Sequence, residues 1–299
     1  MLEIQVSQNK HSSLRAILSR SVIAAIQIFY ICSLSTCSPS TTESTQANVD
    51  LPSPLRVMTY NIRAADYGLS GIIATLEQSK ADIIALQEVD KLVRRTGRID
   101  QPDRIARSLG MYYVFRKHFS YQEGEFGLAL LSRYKIDQVE RVQVRDSNLI
   151  LLKAQVYTPG QPMTVIVVHF HPTNPLDKAS TKKENDAARL REAKRALELA
   201  TTCNAPVLIM GDFNDNPGSP TYGLFTERFQ DCCGVAGGIW EKTWPASFPI
   251  TRIDYIWVSS HFKVIRCQAL DSNGSDHLPV LAEIQPVTDL ARQFLPKGM

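Results

Sequence analysis

The stretch Pro206-Val-Leu-Ile-Met-Gly-Asp-Phe-Asn-Asp-Asn-Pro217 joins an apolar segment to a polar turn. The run from Val207 to Met210 predicts a strand that is buried on both faces, as in the interior of an α/β sheet. Asp212 would then emerge at the end of this strand, where an ionised carboxylate needs a partner or a metal. A buried strand followed by a purely structural Asx turn would give the same pattern. A functional interpretation therefore requires that the pattern recur elsewhere in the sequence.

Other apolar segments also carry polar side chains at one end. In chain order these residues are Asn61, Gln87 with Glu88, His169 with His171, Asp254, and Asp276 with His277. A lone histidine such as His118 or His261 is more often a structural or surface residue. Packing does not explain acids, amides and histidines at the ends of six separate strands, so we interpret them as a functional set.

The donor types in this set indicate a hard cation. Carboxylate and amide oxygens suit Mg²⁺, which proteins hold with few side chains and several waters, and Mn²⁺ is the alternative. The sequence has no cysteine and histidine cluster with the spacing of a zinc site.

The order of the motifs resembles that of a known family. The motifs are Tyr60-Asn61, Gln87-Glu88-Val89, Leu131-Ser132-Arg133, His169, Gly211-Asp-Phe-Asn214, Arg252-Ile-Asp-Tyr255 and Ser275-Asp-His277. They are similar to those of the endonuclease/exonuclease/phosphatase superfamily, which has the deoxyribonuclease-I-like fold, over roughly residues 54 to 287. The resemblance implies a metal-dependent phosphoesterase built as a four-layer α/β sandwich, with two mixed β-sheets flanked by helices.

The resemblance also assigns roles around a metal. It implies that Glu88 is the main metal ligand, that Asp276 makes a second, often water-mediated, contact, and that Asn61 orients these carboxylates. One position departs from the family, because some nuclease members carry an acid where this chain has Arg63. The departure weakens a direct analogy to abasic-site endonucleases.

The same resemblance assigns the catalytic groups. It implies that Asp212 positions or deprotonates the attacking water, that Asn214 lies beside it on the phosphate, and that His277 contacts the scissile phosphate. Asp254 would orient His277. A histidine held by a carboxylate keeps one tautomer and can donate to developing charge.

His169 is expected to be the second catalytic histidine. A two-residue shift would give that role to His171 instead. We prefer His169 because it lies seven residues after Pro162, as in the family, and because Pro172 ends the strand just beyond it.

Arg95 is a candidate substrate contact. The segment from Asp90 to Arg98 resembles a loop of bacterial members of the superfamily that reaches over the site. The sharper hypothesis is that Arg95 binds a substrate phosphate, and the alternative is an ion pair that stabilises the loop.

The chain is expected to have four parts. Residues 1–37 combine a modestly basic start with an apolar run from Val22 to Leu34, which is short for a membrane span and typical of an export signal. Cys37 ends a box similar to a bacterial lipoprotein signal, with ordinary cleavage or retention as an anchor as the alternatives. Residues 38–54 are predicted to be a flexible linker, 55–287 the enzyme domain, and 288–299 a tail. These features predict an exported protein that is periplasmic or anchored to a membrane by lipid.

Three helices are expected inside the domain, at residues 67–79, 102–109 and 177–200. The third carries a basic cluster that invites a nucleic-acid interpretation. A solvated helix face paired with Glu184, Glu192 and Glu198 is the plainer alternative, which we favour.

The charge balance lacks the basic excess that a dedicated nucleic-acid binder usually shows, although a local basic patch is compatible with it. The 299 residues carry a formal charge of +3, and loss of residues 1–37 removes three basic residues and one acidic residue, which leaves +1. Four cysteines lie in the domain at positions 203, 232, 233 and 267. Export permits a disulfide among them, but the sequence does not give the pairing, and free buried thiols are equally compatible.

We therefore expect a monomeric Mg²⁺-dependent phosphodiesterase that acts on nucleic acid or on a phospholipid head group. A phosphomonoesterase acting on sugar or inositol phosphates is the first alternative. A catalytically silent binding module is the second, and it is disfavoured because every polar group of the family's site is present.

Overall fold

The computed structural model describes residues 53–172, 176, 178–203, 205–238 and 241–287. The predicted export segment, nearly all of the predicted linker and the predicted tail lie outside these residues. Within the described ranges, no helix combines the length and the apolar character needed to cross a membrane.

The strands begin at Leu55 and end at Pro286. They are β1 (Leu55–Asn61), β2 (Ile83–Lys91), β3 (Tyr112–Tyr121), β4 (Gly124–Ser132), β5 (Ile136–Gln143), β6 (Ile150–Tyr157), β7 (Pro162–His169), β8 (Val207–Asp212), β9 (Gln230–Asp231), β10 (Asp254–Val258), β11 (Phe262–Ala269) and β12 (Val280–Pro286). The helices are α1 (Leu69–Ser79), α2 (Gln101–Leu109), α3 (Ala179–Thr201), α4 (Pro220–Thr226) and α5 (Cys232–Val235), with 3₁₀ turns at Arg63–Ala65 and Arg94–Thr96.

The strands form two six-stranded sheets. Their orders are β11-β12-β1-β2-β4-β3 and β5-β6-β7-β8-β10-β9. Strand β1 is parallel to β2, and β7 is parallel to β8, whereas the remaining pairs are antiparallel. Both sheets are therefore mixed, as predicted.

The two sheets pack face to face around the largest apolar core. Alternation along β7 shows why its sequence is apolar throughout: Val165 and Val167 face the other sheet, whereas Ile166 and Val168 face α3. Helices α1 and α2 cover the outer face of the first sheet in the same way. The order helix, sheet, sheet, helix confirms the predicted four-layer α/β sandwich.

The three predicted helices are present with small differences at their ends. α1 begins at Leu69 rather than at residue 67, directly after Gly68, whose φ of 103° is not helical. α2 is capped by Asp100, whose carboxylate accepts a hydrogen bond from the Asp103 N–H. It ends at Gly110, which adopts the left-handed conformation that is common after the last residue of a helix.

The interpretation of α3 as a solvated charged helix was wrong for two of its residues. Arg189 is buried and pairs with Asp186 and Asp215. Glu192 is also buried, and it accepts hydrogen bonds from the Ser147 hydroxyl and the His171 N–H. Both residues face the protein because α3 packs along the second sheet. The charged groups of Arg189 and Glu192 therefore bind the helix to the rest of the protein and do not form a solvent-exposed face.

A disulfide joins Cys233 of α5 to Cys267 of β11. It connects α5, which directly follows β9 of the second sheet, to β11, an edge strand of the first sheet. Cys203 and Cys232 are free, so the adjacent cysteines 232 and 233 are not bonded to each other.

Candidate active site

The two sheets bring the polar strand ends to one edge of the sandwich. Strand β7 ends at His169, β8 ends at Asp212, and β10 begins at Asp254. The strand pairing places His169 opposite Asp212, and Asp212 opposite Asp254. All three share the alternation phase of the inward-facing residues on their strands. These three side chains therefore lie at the edge of the sandwich, between the two sheets.

Gly211 makes this register sterically feasible. A Cβ atom at position 211 would lie 1.9 Å from the carbonyl oxygen of Val168 on the neighbouring strand. Any larger residue would push β7 and β8 apart just before His169 and Asp212. The glycine of the Gly-Asp-Phe-Asn motif thus allows the backbones of β7 and β8 to lie close together.

His277 is the centre of a buried charged cluster. Its Nδ1 lies 3.0 Å from Asp254 Oδ2, and its Nε2 lies 3.8 Å from Asp212 Oδ2. Burial by itself would lower the pKa of His277, but the Asp254 and Asp212 carboxylates outweigh burial and raise this pKa to about 10. The ring is therefore a cation at neutral pH, and its Nε2–H is directed to the Asp212 side.

Asp212 is buried among groups that act on its pKa in opposite directions. Burial and the neighbouring Asp254 carboxylate raise the pKa of Asp212, while His277, His169 and Asn61 oppose the rise. The Asn214 N–H donates to its Oδ1 at 2.8 Å, which fixes the carboxylate. A carboxylate with a raised pKa is a competent proton acceptor near neutral pH.

Asn61 connects Asp212 to Glu88. Its Nδ2 donates to Glu88 Oε1 and to Asp212 Oδ2, each at 3.0 Å. Its Oδ1 accepts the Arg63 N–H at 3.0 Å, so the amide oxygen is already engaged. Asn61 therefore orients the carboxylates of Glu88 and Asp212, whereas the family resemblance implied those of Glu88 and Asp276.

Glu88 projects from an irregularity in β2. The pairing of β2 with β4 shifts register between Leu86 and Val89, and Glu88 has a φ of 55°, which is uncommon for a residue other than glycine. Strain of this kind is characteristic of functional positions. The result is a carboxylate that remains partly exposed beside an otherwise buried cluster.

The donor set fits a hard divalent cation. Glu88 supplies a partly exposed carboxylate, and Asp212 supplies a second one that shares the same amide donor. Asp212, Asp254 and His277 also offer ligand atoms within 4.8 Å of one another. That group is the weaker candidate, because the His277 Nδ1 is bonded to Asp254 and its cationic ring has no lone pair to give. The Glu88 side is therefore the better fit to a cation, and its role as a metal ligand stays a prediction.

Asp276 is paired with Arg63. The Arg63 Nη1 lies 2.7 Å from Asp276 Oδ2, and the Ser275 hydroxyl is 3.4 Å from the other carboxylate oxygen. Sequence reasoning noted Arg63 only as a departure from the family and missed this contact, because the two residues are 213 positions apart. The role of Asp276 as a second metal contact stays a prediction.

The structure separates the two candidate histidines. His169 Nε2 lies 3.8 Å from both Glu88 Oε1 and Asp212 Oδ2. His171 lies outside this group, with its Nδ1 3.6 Å from Glu192. Of the two histidines, His169 is thus the one next to Glu88 and Asp212, as expected if the strand ends before Pro172.

Arg95 forms the ion pair that was considered as the alternative to substrate binding. Its Nε and Nη2 donate to the two carboxylate oxygens of Asp90 at 2.8 and 2.9 Å. Its guanidinium also lies over the rings of Tyr121 and Phe126. These contacts fix the loop that carries Arg95, and contact with a substrate stays a prediction for this residue.

A side-chain hydrogen bond and the backbone conformation hold Asn214 in place. Its Nδ2 donates to the Phe170 carbonyl at 3.0 Å, and its φ of 50° lies in the left-handed region that asparagine tolerates. The residue therefore fixes the turn that follows β8 and keeps Asp212 in place.

A cavity of about 490 Å³ opens beside Asn214 and His277. Trp244, Lys182 and Ile253 contribute to its wall. Within the described ranges, Trp244 makes no ring contact and Lys182 makes no ion pair. The volume is within the range of about 300–1,000 Å³ that is usual for small-molecule sites.

Comparison with known proteins agrees with this geometry. A family model described as the Endonuclease/Exonuclease/phosphatase family matches residues 58–277. The Escherichia coli (strain K12) protein named Uncharacterized protein YbhP is 28% identical over 228 residues, which cover 68% of this chain and 83% of YbhP. Exodeoxyribonuclease III from Haemophilus influenzae is 27% identical over 180 residues, which cover 58% of this chain and 62% of that enzyme.

A solved structure shows the same fold. A conserved protein of unknown function from Enterococcus faecalis V583 superimposes with a TM-score of 0.62 at 20% sequence identity. The match covers 78% of this chain and 100% of that one. The chain belongs to the Endonuclease/Exonuclease/phosphatase family, whose members are typically hydrolases of phosphoester bonds.

Proposed function

We propose that this protein is a Mg²⁺-dependent phosphodiesterase that hydrolyses its substrate with an activated water. The observation that carries the proposal is the Asp254–His277–Asp212 cluster beside the Asn61-bound carboxylate of Glu88. A proton acceptor, a cationic hydrogen-bond donor and a metal-binding carboxylate therefore lie at one edge of the sandwich. Each of these groups can lower the barrier to phosphodiester hydrolysis.

Asp212 is the proton acceptor in this proposal. Its raised pKa makes it more basic than an ordinary aspartate, and the Asn61 and Asn214 N–H groups fix its two oxygens. It would take a proton from the attacking water. Such general base catalysis contributes roughly 10²–10⁴-fold to a rate.

His277 is the cationic donor. Asp254 holds Nδ1, which leaves the Nε2–H to contact a phosphoryl oxygen on which charge develops. A donor that is already oriented is worth more in a buried site than in water, because no reorganisation is required during the reaction.

Glu88 would hold the cation, with Asn61 fixing its carboxylate. A bound Mg²⁺ supplies charge neutralisation at the phosphoryl and leaving-group oxygens. Asp276 is the candidate for a second contact, although Arg63 now neutralises its carboxylate.

The charges around the site favour a diester over a monoester. A monoester carries more negative charge, and the nearby Arg63 and Arg95 are each already paired with an acid. A diester also brings an organic group on each side of the phosphorus. The cavity lined by Trp244 and Ile253 next to His277 has room for one of them.

We also propose that the enzyme acts outside the cytoplasm, as a periplasmic or lipid-anchored monomer. The motivation is the export-type sequence at residues 1–37, which ends in Cys37. The Cys233–Cys267 disulfide supports the proposal, because such bonds persist mainly in oxidising compartments.

A metal-dependence assay tests the proposed function. The substrates are bis(p-nitrophenyl) phosphate, p-nitrophenyl phosphate, single-stranded DNA, RNA and sphingomyelin, with Mg²⁺ or Mn²⁺. We expect one class of diester to be hydrolysed, with full loss in EDTA and recovery on adding Mg²⁺. Glu88→Gln should lower kcat at least ~10²-fold, the usual cost of losing one preorganised charged group.

Glu77→Gln is the matched control, because Glu77 is an exposed acid on α1. It should retain wild-type activity. Undiminished diester hydrolysis in EDTA would refute metal dependence, and a preference for the monoester would replace the diesterase proposal with a phosphatase.

A further inference from the structure

His118 is a buried histidine placed between the two sheets. It belongs to β3 at the edge of the first sheet, but its Nδ1 accepts the N–H of Ile150 in β6 of the second sheet at 3.0 Å. The pairing of β3 with β4 shifts register between Lys117 and Phe119, so His118 is the extra residue of a bulge. Bulges redirect side chains, and they are frequent next to active sites.

The hydrogen bond from Ile150 fixes the tautomer of His118. An Nδ1 that accepts a backbone N–H carries no proton. Burial, as the largest cause, lowers the pKa of His118 to about 3, so the ring is neutral. Its single proton is therefore on Nε2, and this buried donor has no acceptor within the described residues.

His169 presents the complementary feature. Its Nε2 faces the reacting groups, 3.8 Å from Glu88 Oε1 and from Asp212 Oδ2. Its Nδ1 is buried and has no hydrogen-bond partner among the described residues. The rings of His118 and His169 lie edge to face, with their centroids 6.0 Å apart.

We propose that His118 is a positioning residue, which donates from Nε2 to His169 Nδ1 and thereby keeps the proton of His169 on Nε2, on the side of the reacting phosphate. A small rotation of the rings or one bridging water completes the bond. One contact then satisfies two buried nitrogens that otherwise have no partner. His169 becomes a fixed donor, as His277 is on the other side of Asp212.

The proposed hydrogen bond from His118 to His169 differs from the hydrogen bond that orients His277. Asp254 is an acid, and it holds His277 as a cation. His118 is neutral, so it orients the His169 ring without adding a negative charge to a site that already contains Glu88 and Asp212. The consequence of His169 orientation for turnover rests on the proposed function, whereas the hydrogen bond itself does not.

Nitrogen NMR of the metal-free protein tests the bond directly. Long-range ¹H–¹⁵N spectra distinguish protonated from unprotonated ring nitrogens, and comparison with His169→Asn identifies the His169 signals. We expect wild-type His169 to show a protonated Nε2 and an unprotonated Nδ1. His118→Phe keeps a ring of similar size without the donor, and it should show His169 averaged between tautomers.

Kinetics provide the second readout. His118→Phe should lower kcat about tenfold with KM changed less than twofold, because the substrate still binds but one donor is no longer held in place. His118→Gln, whose amide can accept from Ile150 and donate to His169, should recover most of the loss. Phe119→Leu is the neighbouring control on β3 and should retain wild-type values.

A wild-type His169 protonated on Nδ1 would overturn the proposal, and this measurement requires no variant to fold. An unchanged His169 tautomer together with unchanged kcat in His118→Phe would also overturn it. If the wild type hydrolyses no phosphoester, the proposed function fails. The wild-type NMR result still decides whether His118 holds the His169 tautomer.

Discussion

His277 Nδ1 lies 3.0 Å from Asp254 Oδ2, and both side chains are almost fully buried. Asp254 begins β10 of the second sheet, whereas His277 lies three positions before Val280, the first residue of β12 in the first sheet. The contact therefore joins the two sheets at the candidate active site. Its consequences are catalytic and thermodynamic, and they can be measured separately.

If Asp254 acts only through His277, the two residues form one functional unit. His277→Ala should lower kcat by roughly 10²–10⁴-fold, and Asp254→Asn should lower it less. The double variant should be no more than a few-fold worse than His277→Ala, because residues that act as a unit are not additive. Steady-state kinetics at saturating Mg²⁺ measure this. Losses that multiply in full would mean that Asp254 has an independent role.

The same pair should make stability depend on pH. The pKa of His277 is about 10 in the folded protein, compared with ~6.5 for an unfolded histidine. Since folding raises this pKa, the stabilisation is complete below pH ~6.5 and is lost as the pH rises through about 10.

Urea unfolding in EDTA can measure this difference. At pH 6.5, His277→Gln should lower the free energy of unfolding by about 2 kcal/mol, the size of a hydrogen bond between charged groups. At pH 10.5 the difference between the variant and the wild type should be clearly smaller. A difference that does not change over this interval would show that His277 is not held as a cation.

His169 and His171 should separate activity from stability. His169→Ala should lower kcat by at least ~10²-fold with little change in melting temperature, because it removes a donor beside Asp212. His171→Ala should keep kcat within about threefold and lower the melting temperature, because it leaves the buried Glu192 with one fewer partner. The reverse pattern would show that the strand assignment places the wrong histidine in the site.

Cys37 should determine where the protein is retained. Cys37→Ser should release the protein from the membrane fraction or stall its processing, because several acyl chains anchor stably at ~0.8 kcal/mol per buried CH₂. Catalysis by the released protein should be unchanged. Intact mass distinguishes the outcomes: an unmodified N-terminus after residue 37 indicates ordinary cleavage, and unprocessed Met1 in the cytosol contradicts export.

Local sequence was sufficient for the strand ends. Apolar runs that finish in Asn61, His169 and Asp212 predicted both the strands and the polar residues at their ends, because burial on two faces leaves no other place for polar groups. Glu88 is the exception, because β2 continues past it to Lys91 and Glu88 lies at a register shift inside the strand. The spacing from Pro162 and the strand end imposed by Pro172 were also sufficient to favour His169 over His171. These features depend on a few consecutive residues, which is the range over which sequence patterns are informative.

The tertiary structure alone decided which of these residues meet. The pairing of Arg63 with Asp276, the disulfide between Cys233 and Cys267, and the buried charges of α3 all join segments that are distant in the chain or that face an unforeseen neighbour. His118 is the clearest case, since no sequence pattern separates it from a structural histidine. A one-residue bulge in β3 directs it across the sheets to His169. Side-chain direction at a bulge follows from the pairing of two strands, and no local pattern within β3 contains that information.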